Sequence, residues 1–522
     1  MLERLAPTGS GFPTIFIGDL VLHSRYNPLV EAERYINSLN FRDGVRFFIF
    51  LEPGLDYAVH ALRKKFPQAC ILVLHISAFF TRNTIATAAT GEVCSSNGVT
   101  GSADAVWGPD SAETVQQFLE NHIPDTEASS VAVVEWRPSQ AAFGEAYLRL
   151  LADTAEFIKR VDANKRTVAA FGRRWFMNTL KNIRLLKRVP QYPTLSMPLV
   201  ICGAGPSLEE VIPLIKERKK NGSVFILAAS SSVSALLAAD LIPDLILSTD
   251  GGNWALLHLY EALRGELCCK RRSFLGEQDR CQGWAGPVFT ASLSAALPSQ
   301  FESLPWLPIS DGSLWQNLLL ENTALPFAKL PQRGTVTATA LDLAFMLTRG
   351  PVYIAGMDLA NSGLRTHARP YSFDRLLEEQ GSRLKPVYSQ SFLRASTIAA
   401  SGSQSIYAQW FARRIETCPD RIFSLGNNNA VFENFRKGSL SESGQNCVPG
   451  FSVPEFIERP VSPASMEGAE LLLRSLDSPE SRDTLVRELG PLLLNGDPRP
   501  SAGAIREALI EASSDNKRGS YE

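Results

Sequence analysis

The sequence predicts a doubly wound α/β protein. Two observations carry that expectation. Strand-length apolar runs alternate with helix-length segments over most of the chain, which is the mark of parallel sheets built from β-α-β units. Several of those runs end abruptly in Gly, Ser or Asp, as strands do at the ligand-binding edge of an open sheet. The length, 522 residues, leaves room for two or three domains.

The first segment runs to about Asp153. It reads as strand Thr14–Ile17, helix Pro28–Leu39, strand Val45–Leu51, helix Leu55–Phe66, strand Ala69–His75 and, after a Ser/Thr/Gly-rich stretch, strand Val131–Glu135. Pro53 and Gly54 form the turn that releases the chain into the second helix. The next segment, Asp153–Val189, is basic and amphipathic. It carries Lys159, Arg160, Lys165, Arg166, Arg173, Arg174, Lys181, Arg184, Lys187 and Arg188 among Phe, Leu, Ile and Trp. The plain reading is a helical linker with a solvated basic face; the sharper one is a face for acidic partners or phosphates.

The third segment, Pro198 to about Asn434, repeats the alternation. Strands are expected at Leu199–Cys202, Val224–Ala228, Leu245–Ser248, Val288–Ala291, Val352–Ala355 and Arg421–Ser424. Helices are expected at Leu208–Lys220, Val233–Ala239, Val336–Leu347 and Ser405–Thr417, with a long polar loop before the last. The tail after Phe451 reads as a polar linker with two or three short helices, and Ser513–Glu522 as disordered. The expected division is a smaller N-terminal α/β domain (1–153), a basic helical connector (154–190), a Rossmann-like central domain (191–436) and a helical C-terminal extension (437–522).

Composition narrows the function. The net charge is -2, which argues against a nucleic-acid binder relying on excess basic charge. No apolar run approaches a membrane span, and the first residues show no secretory signal. The eight cysteines are scattered without a C-x-x-C pair, which speaks against zinc and disulfides and for reduced thiols in a cytoplasmic protein. No Walker A loop, nucleophile elbow, H-E-x-x-H or kinase set is present.

Four loops carry the candidate chemistry. In the first, strand Leu199–Cys202 runs into Gly203, Ala204, Gly205, Pro206 and Ser207, and a helix starts at once. Glycines let backbone approach a ligand, Pro206 suits a first helical turn, and a helix N-terminus favours an anion. The bland alternative is a tight turn without a ligand. In the second, strand Leu245–Ser248 ends in Thr249, Asp250, Gly251, Gly252 and Asn253. Asp250 suits ribose hydroxyls or a divalent metal on a diphosphate, or else caps a helix. Asp244, at the strand entrance, reads as structural. Ser230, Ser231 and Ser232 follow the neighbouring strand and either face the same crevice or cap a helix. In the third, strand Val352–Ala355 ends in Gly356, Met357 and Asp358, with His367 nine residues on as a candidate base. Upstream, Gly334 and Thr335 open a helix and either cradle a polar group or serve as an N-cap. In the fourth, Gly426, Asn427, Asn428 and Asn429 suit a base or sugar, or form only a turn.

Taken together, Gly203–Leu208, Pro243-Asp244 through Asp250, and Gly356-Met357-Asp358-Leu359 with His367 resemble the motility-associated-factor (Maf) family. The same domain is similar to the archaeal 6-hydroxymethylpterin pyrophosphokinases. His23-Ser24-Arg25-Tyr26-Asn27-Pro28 with Glu31-Ala32 resembles the start of the Maf N-terminal domain. Phe171-Gly172-Arg173-Arg174-Trp175 with Asn178 and Asn182 resembles its connector. The resemblance implies a sialyltransferase-like central domain that moves a nonulosonic sugar from a CMP-activated donor to Ser or Thr of flagellin. It makes the nucleotide sugar and flagellin the expected partners. The candidate catalytic residues are then His367, Asp358 and Asp250, and the candidate nucleotide site is the first three loops with Gly334 and Thr335. The sialyltransferases use a His base without metal; its place here falls near Ser401–Ser405, where this chain has no His, so His367 is the substitute. Strand Val45–Leu51 runs into Glu52-Pro53-Gly54, where the family more usually has a Gly-rich turn.

Two other classes compete. One is diphosphate transfer from ATP to a pterin alcohol, with Asp250 or Asp358 on Mg²⁺. The other is a non-enzymatic flagellar or envelope binder using the fold as a scaffold.

Overall fold

Strand Leu199–Cys202 shows how the sequence builds the larger sheet. All four residues are buried, and they alternate between two cores. Val200 and Cys202 face one, Leu199 and Ile201 the other. A strand covered on both sides must be apolar throughout, so the run is continuous rather than alternating. Phe225–Ala229 repeats the pattern.

The computed structural model describes residues 3–82, 103–123, 130–191, 195, 197–263, 288–331, 333–359, 364–400, 407–408, 410–412, 414–415, 418–426, 436–438, 440, 455–460, 468–494 and 500–518. It divides into two units. Residues to Ala170 form the first; Phe171–Leu494 and the segment from Pro500 form the second. The expected mixed α/β architecture is present in both.

The first unit opens with an antiparallel sheet of β1 (Glu3–Ala6), β2 (Thr14–Ile17) and β3 (Leu20–Val21). A parallel sheet follows, of β4 (Phe47–Leu51), β5 (Cys70–Leu74), β6 (Ala105–Trp107) and β7 (Val131–Glu135), in the order β6-β5-β4-β7. The chain moves outward from β4 to β6, then returns to pair β7 on the other side of β4. The strand order therefore reverses between β4 and β7, the place where such sheets take ligands. Here the chain fills that place itself. The buried Glu52 carboxylate accepts from Ile76 N (2.5 Å), Ser77 N (3.3 Å) and Gly54 N (3.3 Å) and meets His75 Nδ1 at 3.0 Å. Burial disfavours the charged form of His75, but Glu52 and Asp56 together outweigh it and leave the imidazole more basic than usual. Glu52 adopts a left-handed φ of 39° to reach these partners.

In the second unit, β8 (Arg188–Gln191) precedes eight parallel strands: β9 (Leu199–Cys202), β10 (Phe225–Ala229), β11 (Leu245–Ser248), β12 (Val288–Ser292), β13 (Trp306–Ser310), β14 (Ala328–Lys329), β15 (Val352–Ala355) and β16 (Ile422–Ser424). Their order is β14-β13-β12-β11-β10-β9-β15-β16. The switch point lies between β9 and β15, which pair from Leu199↔Val352 to Cys202↔Ala355. β17 (Glu455–Glu458) pairs antiparallel with β8.

One face of this sheet carries helix Val336–Leu347 with Phe411 and Ile415. The other carries helices Leu208–Lys220, Leu256–Leu263 and Leu314–Glu321, the end of the long helix Glu145–Leu185, and the C-terminal helices. The basic segment is thus helical, and Phe176, Leu180 and Ile183 lie in the core. Asn182 is buried and donates to Leu293 O (2.9 Å) and Ala295 O (2.8 Å). Asn178 donates to Gly251 O (3.1 Å) and Ser294 O (3.0 Å). These two amides hold the loops that follow β11 and β12.

Three expectations need correction. The long polar loop after Ala355 contains helices Asp374–Glu379 and Val387–Ala400. Leu376 and Leu377 of the first are half-buried, and Tyr388, Phe392 and Leu393 of the second are exposed, so no buried stripe marks either helix in the sequence. The sheets also hold strands Ala105–Trp107, Trp306–Ser310 and Ala328–Lys329, which the sequence pattern does not mark, the second because Pro308 interrupts its run. Finally, helix Ala502–Arg518 includes the first six residues of the segment expected to be disordered; its Ile505, Leu509 and Ala512 are buried in the core. The expected Ser/Thr/Gly-rich stretch around 83–102 lies outside the described residues.

The Asn182 clamp gives the first test. Asn182→Ala leaves two buried carbonyls without their donor and costs about 2 kcal/mol. Calorimetric unfolding of the purified variant should show that loss, and an unchanged midpoint would refute the clamp.

Candidate functional site

The crevice at the carboxyl ends of β9 and β15 is built by two loops in backbone contact. Gly203 N donates to Ala355 O (2.8 Å) and Gly205 N to Gly356 O (2.7 Å). A Cβ on Gly203 would stand 2.5 Å from Gly356 O, and one on Gly356, which has a φ of 65°, 2.6 Å from Gly203 O. Glycine is required at both positions for the loops to meet. Met357 is buried beneath them in the core.

Asp358 then crosses the gap. It is 6% exposed, and its Oδ2 accepts from Ser207 N at 2.8 Å while Oδ1 accepts from Ser207 Oγ. The carboxylate thereby sits at the N-terminus of helix Leu208–Lys220, where the dipole favours negative charge. This is the spot at which the sequence suggests a ligand anion. The N–H groups of Gly203, Gly205 and Ser207 are committed within the protein, and Pro206 has none. Ala204 is buried, and its carbonyl accepts from Ala368 N at 2.7 Å.

That last bond anchors a strap, Leu364–Asp374, over the loop. Arg369 N donates to Glu209 (2.8 Å), and Arg365 pairs with the same carboxylate. Farther along, Ser372 Oγ meets Ser234 Oγ (2.8 Å) on helix Val233–Ala238. The strap carries His367 to the crevice. Its Nδ1 meets Thr366 Oγ1 at 2.8 Å, and its ring stacks on Tyr371 at 4.0 Å and 13°. Burial, with Arg394 and His258 adding to it, pushes its pKa down to about 3. It is a neutral imidazole at physiological pH.

Around Tyr371 lies a cluster that no sequence motif announced. His258, in the first turn of helix Leu256–Leu263, faces Tyr371 (5.4 Å) and Phe373 (5.0 Å). Burial and Arg394 lower its pKa to about 4. Arg394, on helix Val387–Ala400, lies over Tyr371 (4.8 Å) and Phe373 (5.2 Å) and donates to Tyr371 Oη (3.0 Å). Burial raises the Tyr371 pKa to about 12, with Arg394 opposing the rise and Asp374 and Asp250 adding to it. Trp254, largely exposed, meets Phe373 edge-on at 6.4 Å.

The other expected residues divide. Asp250 is exposed beside this cluster; its Oδ1 accepts from Gly252 N (2.7 Å), closing a turn of its own. Thr249 is half-buried just before it. Gly251 is buried, and a side chain there would strike Trp175. Ser230 is buried and Ser231 half-buried in a short 3₁₀ turn after β10. Ser232 bonds Cys202 O (3.0 Å) and Ala229 O (2.8 Å). Thr335 caps helix Val336–Leu347 by accepting from Ala338 N (3.0 Å), and Gly334, with a φ of 76°, packs against Tyr407. Asp244 lies at the opposite edge of the sheet, paired with Lys219 and bonded to Ile226 N (2.8 Å). Asn427, Asn428 and Asn429 lie outside the described residues, as do Ser401–Ser405. Among the described residues no three His, Cys, Asp or Glu side chains group as metal ligands, and both Asp358 oxygens are bound to Ser207. No helix among the described residues is long and apolar enough to cross a membrane.

The loops meet at the switch point of a parallel sheet, the position at which open α/β folds take their ligands. Residues 173–363 match the family described as 6-hydroxymethylpterin diphosphokinase MptE-like. The chain is also 26% identical over 355 residues to an uncharacterized protein of Treponema pallidum (strain Nichols), covering 68% of this chain and 73% of that one. A Maf glycosyltransferase structure from Magnetospirillum magneticum AMB-1 aligns over 98% of this chain and 86% of its own, at 13% identity and a TM-score of 0.45.

Two tests follow from this geometry. Asp358→Asn removes the charge from the helix N-terminus and weakens two hydrogen bonds, so unfolding calorimetry should register a loss of about 1–3 kcal/mol. An unaltered midpoint would mean the loops hold without it. The second concerns pH. The unfolded chain protonates His258 and His367 below about pH 6.5, whereas the folded protein resists until about 4 and 3. Their contribution to stability is therefore undiminished above pH 6.5 and falls as pH drops towards those values. His258→Phe should flatten the fall in melting temperature between pH 6.5 and 4; an unchanged slope would contradict the assignment.

Proposed function

We propose that the protein is a Maf-type glycosyltransferase that moves a nonulosonic sugar from a CMP-activated donor to a Ser or Thr hydroxyl of flagellin. The observation that carries this reading is the convergence on one crevice of the Gly203–Ser207 loop, the Asp250 loop and the His367 strap. The family resemblance of those motifs, and the MptE-like description of the domain that holds most of them, support a nucleotide-linked donor.

In this reading, the nucleotide lies across the carboxyl ends of β9, β10 and β11. Ser230, Ser231, Thr249 and Gly251 line its path, and Asp250 accepts from ribose hydroxyls. Gly334 and Thr335 open the helix beneath the sheet. Gly203, Ala204, Gly205 and Pro206 offer a surface with little side chain, held in shape by Gly356, Met357 and Asp358. Asp358 is then a positioning residue, because its carboxylate serves Ser207.

The reaction forms a bond from the acceptor oxygen to the anomeric carbon and breaks the bond from that carbon to the CMP phosphate oxygen. The acceptor proton passes to Nε2 of His367, and CMP leaves with the bonding electrons. A neutral His367 is in the correct state to accept it. Thr366 at Nδ1 and the Tyr371 ring fix the imidazole.

The decisive measurement is intact-mass analysis of flagellin from cells with and without this protein, together with calorimetry of CMP and a CMP-sugar on the purified chain. The expected outcome is a flagellin lighter by whole sugar units in the deletion, and measurable CMP binding. Unchanged flagellin mass and no CMP affinity would end this reading. His367→Ala should lower the transfer rate about 100-fold or more with little change in CMP affinity; a loss under threefold would remove it as base.

The family description favours one other reading: diphosphate transfer from ATP to a pterin alcohol. ATP binding that depends on Mg²⁺, with none for CMP, would select it.

A further inference from the structure

Of the strap's arginines, Arg365 pairs with Glu209 and Arg369 lies 4.0 Å from Asp374. Arg394 differs. Among the described residues it has a tyrosine hydroxyl and two aromatic rings for neighbours and no carboxylate. A guanidinium held by rings rather than by an acid keeps its charge and its remaining donors for something else.

A second observation points the same way. His258 is 8% exposed, and its Nδ1 has no hydrogen-bond partner. A buried imidazole nitrogen without a partner is costly unless a ligand meets it. Arg394 also suppresses protonation of both His258 and His367, so the three share one region of positive potential. The groups that face this region are His258 from its helix, His367, Arg369, Tyr371 and Asp374 from the strap, Arg394 from helix Val387–Ala400, and Asp250 from the loop after β11. Asp374 is occupied by Tyr371 N (3.1 Å) and lies 4.0 Å from Arg369. Asp250 is turned to Gly252 N.

We propose that Arg394, His258 and the Tyr371 hydroxyl form an anion subsite that takes a negatively charged oxygen group of the donor. The subsite rests on the nucleotide-sugar reading above and sharpens it. The helix N-terminus that would ordinarily hold a phosphate already holds Asp358, and the unneutralised cation stands at the neighbouring end of the strap. The shared ligand chemistry is an oxyanion, supplied by either the sugar carboxylate or the nucleotide phosphate. An anion here also changes His367. Negative charge beside an imidazole favours its protonated form. The bound donor therefore makes His367 a stronger proton acceptor, and the empty protein holds it in a weakly basic state.

The test is imidazole NMR on the full-length protein, with signals assigned by His258→Asn and His367→Asn. N-acetylneuraminate supplies a carboxylate without phosphate, and CMP a phosphate without that carboxylate. The expected result is that one probe raises the apparent pKa of His258 and His367 by about one unit, a tenfold change in protonation. The probe that does so identifies the source of the oxyanion. Arg394→Met should abolish the shift and weaken that probe about tenfold, while Arg394→Lys, which keeps the charge, should retain part of both. Circular dichroism of the two variants checks that they fold.

If neither probe moves the imidazoles, or Arg394→Met leaves shift and affinity intact, the subsite is overturned. If CMP binds by calorimetry without moving them and N-acetylneuraminate is also silent, the subsite fails and the nucleotide reading stands. If N-acetylneuraminate moves them through Arg394 but neither CMP nor CMP-N-acetylneuraminate binds more tightly than the free sugar acid, the subsite stands and the nucleotide reading fails.

Discussion

The bond between Asp358 and Ser207 is the constraint on which the crevice depends. β9 and β15 lie side by side, and their pairing runs on into the loops through Gly203 N to Ala355 O and Gly205 N to Gly356 O. The carboxylate locks that approach from the start of the helix. It satisfies a backbone N–H and a hydroxyl at a helix start, in a position where the helix dipole favours its charge. With the two loops joined, Gly203 and Gly356 can sit backbone to backbone, and the strap can anchor on Ala204 and Glu209. His367 reaches the crevice because of that anchorage.

The first unit solves the same problem with a different residue. Its sheet also reverses order beside its first parallel strand, and there Glu52 gathers the N–H groups of the loop after β5. In each unit the chain places its own carboxylate where an open sheet concentrates backbone donors. The difference is access. Glu52 is entirely buried with His75, whereas Asp358 lies beneath a crevice rimmed by the exposed Asp250 and Trp254.

Much of the fold was legible because it rests on short-range signals. The strands Leu199–Cys202, Leu245–Ser248 and Val352–Ala355 are buried on both faces, and such runs stand out against polar helices. Their loops were legible for the same reason, since Gly and Asp at a strand end have few other uses. What was not legible depends on distance in space. His258, Tyr371, Phe373 and Arg394 come from three separate elements, and nothing in their local sequence marks them as neighbours. The helix that carries Arg394 has most of its large apolar side chains exposed, so it lacks the periodic stripe that reveals a packed helix. The role of Asp358 was hidden in the same way: a carboxylate at a ligand edge looks identical in sequence whether it serves a ligand or Ser207, 151 residues away.

The helices at the end of the chain have a consequence for synthesis. Leu472, Leu485, Leu489, Ile505 and Leu509 belong to the same core as Phe176, Leu180 and one face of the sheet. That core is therefore assembled from both ends of its unit. As the chain leaves the ribosome, the strands emerge long before the helix Ala502–Arg518 that helps to cover them. Until it arrives, part of the apolar face is open to water and to other chains. A premature stop before Ala502 would leave every loop of the crevice encoded, yet leave the sheet beneath it with an exposed surface prone to aggregation.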